Sequence, residues 1–144
     1  MKINILLVFL IMFSIFKSPL ANENLSLYDF SFIDIDGNQV NLKKFTGKPI
    51  LVVNTASRCG FTPQYENLQN LFLEYKDTDL TIIATTSNSF AQEYQDTEDI
   101  KKICLVNYGV GFVTSSPINV KGNNAHPIYH WIDKQYNKSP KWNF

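Results

Sequence analysis

The chain has 144 residues, with 13 Lys+Arg against 13 Asp+Glu, 44% hydrophobic residues and only 2 Cys. That is the length of one domain, and zero net charge excludes the basic surface on which a nucleic-acid binder depends. Two cysteines are too few for a disulfide scaffold or a four-cysteine zinc site, so any sulfur chemistry belongs to one thiol or one pair.

Met1-Lys2, the apolar stretch Ile3–Phe16 and the closing Lys17-Ser18-Pro19-Leu20-Ala21 follow the pattern of a secretory signal peptide over residues 1–21. Secretion or a periplasmic location is the expectation. Pro19 sits where a small residue is usual, which leaves an uncleaved amino-terminal anchor as the alternative. Removing this segment takes two of the 13 bases and none of the 13 acids, giving residues 22–144 a net charge of −2. Outside the cytosol a reactive cysteine must be re-reduced by a dedicated donor.

Phe30–Ile35 and Gln39–Leu42 flank Asp36-Gly37-Asn38, which predicts an antiparallel hairpin. Ile50-Leu51-Val52-Val53-Asn54 is too short for a helix and too apolar for an edge, so it predicts a buried central strand. Thr62-Pro63 offers a capping side chain followed by proline at the first helical position. Tyr65, Leu68, Leu71, Phe72 and Tyr75 then recur at helical spacing, predicting a helix from Pro63 to about Lys76. Leu80–Ala84 reads as a second buried strand. Asp96 and Asp99 can cap a helix that carries Ile100, Ile103 and Cys104 on one face and ends near Gly109. Pro127 opens a third helix with Ile128, Trp131 and Ile132 on one side. Alternating strands and helices predict a parallel strand pair covered by helices, within a thioredoxin-like α/β fold whose chemistry sits at the carboxyl edge of the strands.

Cys59 lies between the first buried strand and the first helix, in Ser57-Arg58-Cys59-Gly60-Phe61-Thr62. Unpaired N–H groups of a helix start, and the Arg58 cation if it turns inward, favour a thiolate there. Such a thiolate attacks peroxide oxygen and becomes a sulfenic acid. The competing reading is a small buried hydrophobe. Thr62 occupies the place of the second thiol of a Cys-x-x-Cys pair, which argues against a dithiol reductase.

The run Asn54–Tyr65 resembles the signature around the peroxidatic selenocysteine or cysteine of the glutathione peroxidase family. Ser87–Glu93, Asn107–Phe112, Val120-Lys121-Gly122 with Ala125-His126-Pro127, and Trp142-Asn143-Phe144 are similar to further family stretches in the same order. The resemblance covers essentially the whole of residues 22–144. It implies a catalytic tetrad of Cys59, Gln92, Trp142 and Asn143, in which amide and indole N–H groups donate to the sulfur and the peroxide oxygens. A solvated loop position for Gln92 and plain core burial for Trp142 are the competing readings, and Asn88 is expected to shape a turn. Cys104, 45 positions after Cys59, resembles the resolving cysteine of some cysteine-type members, although its helical periodicity points it into the core. Both roles stand open. Ser87 occupies the position of another family cysteine. His126 and His130 are an i, i+4 pair, but two ligands do not make a metal site, and His126 is equally suited to cap the third helix.

The resemblance also carries departures. The family continues past Trp-Asn-Phe with further strands and a final helix, so the sequence as given lacks these, and Trp142 and Asn143 are expected to lie on a fraying terminus. Thr85-Thr86 and Val113 replace residues of the family that commonly include proline. The function implied is a thiol-dependent peroxidase that reduces hydrogen peroxide or organic hydroperoxides through Cys59, in antioxidant defence. No metal or bound cofactor is implied, the reductant being thioredoxin, glutathione or a similar thiol. No nucleic-acid or membrane partner is expected, apart from the anchor alternative. An inactive remnant or a thioredoxin-fold binding module is the alternative function.

Overall fold

A computed structural model describes residues 25–144, so the expected signal peptide over residues 1–21 lies outside the described residues. Strands β1 (Ser31–Ile33) and β2 (Gln39–Asn41) form the predicted antiparallel hairpin, with Phe32 opposite Val40. Asp34 closes its turn: one carboxylate oxygen accepts from the Asp36 and Asn38 N–H groups, and Gly37 takes φ +87°, a value that favours glycine.

The main sheet holds β3 (Ile50–Thr55), β4 (Thr81–Thr86) and β5 (Val113–Thr114), all parallel, in the order β3-β4-β5. The middle strand is thus β4. The expectation that Ile50–Asn54 forms the buried central strand is corrected: β3 pairs with β4 alone among the described strands, and its residues Ile50–Asn54 are half-buried. Its outer side is engaged at one point, where the Phe144 N–H donates to the Asn54 carbonyl at 2.8 Å.

Alternation along β4 builds two cores. Ile82 and Ala84 pack with Tyr65, Ile100, Cys104, Val110 and Phe112 under the helices that follow β3 and β4. Ile83 points the other way, into Phe32, Val40, Leu42 and Ile128, which mounts the hairpin and the last helix on the opposite face. Thr86 shows what the departure from the family pattern does here. Its N–H and hydroxyl bond the Ser115 hydroxyl and carbonyl at 3.1 and 3.0 Å, and a proline could supply neither donor.

Helix α1 (Gln64–Glu74) follows β3, with Tyr65 fully buried. Thr62 does not cap it: that hydroxyl is spent within the preceding loop, and Pro63 is the capping position rather than the first helical residue. Leu68, Leu71 and Phe72 pack on the core as predicted, whereas Tyr75, just beyond the helix, is exposed. Helix α2 (Thr97–Lys101) is capped by Asp96, whose carboxylate accepts from the Glu98 N–H at 2.9 Å. It widens directly into a π-helix over Lys102–Asn107, a feature absent from the sequence expectation, and the backbone turns out at Gly109 with φ +61°. Ile100 and Cys104 are fully buried while Ile103 is only half so, because widening the turn rotates the face away from simple 3.6-residue spacing. Helix α3 (Pro127–Tyr136) is capped by His126, whose Nδ1 accepts from the Ile128 N–H at 3.4 Å. No helix among the described residues is long and apolar enough to cross a membrane.

Candidate active site

Beyond the end of β3 the chain forms a tight loop before α1, and Thr62 holds it together. Its hydroxyl donates toward the Ala56 and Cys59 carbonyls at 2.9 and 2.7 Å and accepts from the Cys59 N–H at 3.1 Å. Cys59 is carried at the crest of this loop and is buried, with 9% of the residue exposed. The Phe61 N–H donates to Sγ at 3.4 Å, so a main-chain donor within the loop, in advance of the helix, faces the sulfur. The thiol in turn points at the Asn143 carbonyl, 3.8 Å away. Arg58 does not turn inward. It is exposed, with its guanidinium over the Tyr94 ring at 5.5 Å.

Three of the four tetrad residues meet. The Asn143 side chain is fully buried, donates through Nδ2 to Gln92 Oε1 at 3.1 Å, and accepts from Asn54 Nδ2 at 3.2 Å. With Oε1 engaged, Gln92 has its Nε2 hydrogens left as donors. The fourth, Trp142, is 58% exposed, which rules out plain core burial. No hydrogen bond from its indole is present among the described residues; its carbonyl is held instead, accepting from Asn54 Nδ2 at 2.7 Å. The expected fraying is corrected as well. Asn54 grips residues 142–144 through its side chain and its carbonyl, and the Phe144 ring meets Tyr65 edge-on at 5.1 Å.

Cys104 is fully buried in the main core, and desolvation pushes its thiol up to about 11. It and Cys59 are both free thiols. His126 and His130 do not act as a pair: His126 caps α3, and His130 Nε2 lies 3.3 Å from the Asn123 carbonyl. Among the described residues no group of three or more His, Cys, Asp or Glu side chains converges on a metal position. Asn88 shapes the Gln92 loop as expected, its side chain accepting from the Glu93 N–H and its carbonyl from the Ala91 N–H. Ala91 pays for that turn with a left-handed φ of +57°.

Two residues that the sequence reading passed over hold this arrangement. Asn54 follows the apolar run Ile50–Val53 of β3, and a polar residue in that place is the signal that could have marked it. Glu93 is 4% exposed, and its carboxylate accepts from the Ser57 N–H at 3.1 and 3.2 Å and the Tyr94 N–H at 2.8 Å. Burial pushes its pKa above the ordinary glutamate value.

A thiol at the crest of a strand-to-helix loop, with the Asn143 carbonyl at its sulfur and the Asn143 side chain bonded to Gln92, is an arrangement suited to a thiol peroxidase. Residues 27–133 match the family model described as glutathione peroxidase. The chain belongs to the glutathione peroxidase family. It is 41% identical over 125 residues to the glutathione peroxidase of Lactococcus lactis subsp. cremoris, covering 83% of this chain and 80% of that one. It is 43% identical over 122 residues to the glutathione peroxidase-like peroxiredoxin gpx1 of Schizosaccharomyces pombe, covering 81% and 77%. The solved structure of Trgpx in apo form superposes with a TM-score of 0.65 at 34% identity, covering 83% of this chain and 74% of that one. Family membership makes this chain a thioredoxin-fold oxidoreductase of the peroxidase class, acting in oxidative-stress defence.

Proposed function

We propose that Cys59 is the peroxidatic residue and that Gln92 and Asn143 assist it. The Cys59 thiolate attacks one oxygen of the hydroperoxide; the S–O bond forms as the O–O bond breaks, leaving a sulfenic acid on Cys59. The departing hydroxide or alkoxide takes a proton and leaves as water or alcohol. Donors at Gln92 Nε2 and the Phe61 N–H are suited to the charge that develops on oxygen and sulfur. A thiol reductant, a thioredoxin-like protein or glutathione, supplies two electrons that return the sulfenic acid to thiol and release water. The single observation that carries this reading is that Asn143 joins Cys59 to Gln92: its main-chain carbonyl meets the Cys59 sulfur at 3.8 Å while its side chain, held by Asn54, bonds Gln92.

Trp142 belongs to the same site by resemblance, its exposed indole making no hydrogen bond among the described residues. Cys104 serves first as a core residue. A resolving role requires its helix to open, and the π-helical segment, with its looser hydrogen bonding, is where that opening would begin. The pattern of residues 1–21 supports export, so the reductant is one available outside the cytosol.

Intact mass of the purified chain after seconds with one equivalent of hydroperoxide tests the assignment. One added oxygen, or two hydrogens lost if Cys104 closes a disulfide, is expected. Cys59→Ser removes both products and all turnover. Undiminished turnover in that variant refutes the role of Cys59, and undiminished thioredoxin-dependent turnover in Cys104→Ser refutes resolution by Cys104.

A further inference from the structure

Glu93 is a carboxylate almost wholly withdrawn from water, and among the described residues no salt bridge neutralises it. The Arg58 guanidinium, on the facing Ser57–Cys59 segment, lies over the neighbouring Tyr94 ring instead. Burying an unpaired carboxylate is costly, so its retention calls for a task that its neutral counterpart could not perform. The contacts supply one. Both of its oxygens converge on the Ser57 N–H, and one also takes the Tyr94 N–H. One residue along, the Arg58 N–H donates to the Gln92 carbonyl at 2.9 Å. Two successive N–H groups directly before Cys59 are therefore fastened to two successive residues, Gln92 and Glu93, of the loop that carries the assisting amide.

We propose that Glu93 is a positioning residue of the peroxidase site: its carboxylate locks the Ser57–Cys59 segment to the Gln92 loop, fixing the sulfur relative to the Gln92 and Asn143 amides. The proposal rests on the peroxidase reading of Cys59. Glu93 touches neither the sulfur nor a substrate position and acts through Ser57 and Gln92. An ionised carboxylate is needed because all the groups it meets are donors. An amide in its place, whichever way it is turned, sets an NH2 against the Ser57 N–H. An aspartate keeps the charge but withdraws it from Ser57 by one methylene.

The test compares two reagents on the purified full chain: hydrogen peroxide, which needs a thiolate aligned with its donors, and iodoacetamide, which needs only the thiolate. Loss of the Cys59 thiol is followed for wild type, Glu93→Gln and Glu93→Asp. In Glu93→Gln the peroxide rate constant is expected to fall about 10- to 100-fold, the cost of displacing a reacting group by about 1 Å. The iodoacetamide rate constant is expected to stay within about twofold, since the sulfur keeps its Phe61 donor. Glu93→Asp is expected to lower the same ratio by a smaller factor. An unchanged ratio in both variants, with a wild type that reacts rapidly with peroxide, overturns the positioning role and leaves the peroxidase reading intact. A wild type that treats peroxide as an ordinary thiol does overturns the peroxidase reading itself. Loss of cooperative unfolding in both variants makes Glu93 a folding residue and also overturns the proposal.

Discussion

Removing the Asn54 side chain is the sharpest test of how residues 142–144 are held. Asn54→Ala deletes two donated hydrogen bonds, to the Trp142 carbonyl at 2.7 Å and to Asn143 Oδ1 at 3.2 Å. Trp142 is exposed, so water can replace the first bond, whose net loss is about 0.5–1.5 kcal/mol. Asn143 is fully buried, and its stranded Oδ1 costs about 1–3 kcal/mol. The two together give a loss of about 2–4 kcal/mol, read in urea as a midpoint lowered by about 1–2 M. The same change frees the Asn143 amide that orients Gln92 Oε1, so oxidation of Cys59 by peroxide is expected to slow by about tenfold or more. Equilibrium urea unfolding followed by tryptophan fluorescence gives the first quantity, and stopped-flow peroxide consumption gives the second. A stability change below about 0.5 kcal/mol, the range of an inert surface substitution, together with an unaltered rate, would refute the argument.

Ala91 holds a left-handed backbone that costs an L-residue about 1–2 kcal/mol, of which glycine's greater unfolded freedom returns about half, so Ala91→Gly is expected to stabilise the chain by about 0.5–1 kcal/mol. A lowered urea midpoint in that variant contradicts the backbone argument. Burial holds the His126 pKa below its ordinary value of 6.5, so the folded chain binds that proton less readily than the unfolded one. The stability His126 contributes is therefore complete above the unfolded value and is lost as pH falls from there toward the lower folded one. His126→Asn keeps an acceptor at the cap and is expected to flatten this loss; parallel pH–stability curves for the two proteins would exclude it.

Much of the fold was legible because its signals are local. A glycine turn between short strands, apolar runs of strand length and proline at the start of α3 each act within a few residues. Position within the sheet was not legible. The apolar run Ile50–Val53 reads as a central strand, yet centrality depends on which strands flank it, a long-range fact the run itself does not encode. The Thr62 cap failed for a related reason: the loop around Cys59 offers that hydroxyl better partners than the helix does. The π-helix escaped because Ile100 and Cys104 satisfy ordinary helical spacing, and the widened turn shows itself only in Ile103 turning half outward. At the site, the motifs pointed to Cys59, Gln92 and Asn143, and the structure joins them through Asn143. Their supports were not: Glu93 holds main-chain N–H groups, which leave no mark in the sequence, and the one sign of Asn54 is a polar residue in an apolar strand, which names no partner.

The bonds from Asn54 to Trp142 and Asn143 span 88 and 89 positions of sequence. Closing a loop of that length costs on the order of 4 kcal/mol in chain entropy before any contact repays it. The hairpin, α1 and the β3–β4 pair close much shorter loops and have no need to wait. A chain in which only these nearer contacts have formed carries Cys59 on its loop while Asn143 is still at large, and its sulfur has yet to acquire that neighbour. Peroxide sensitivity is therefore expected to arrive after the first helical structure, when residues 142–144 close onto Asn54. Pulses of peroxide during refolding would reveal the order, and sensitivity that rises together with the first helical signal would contradict it.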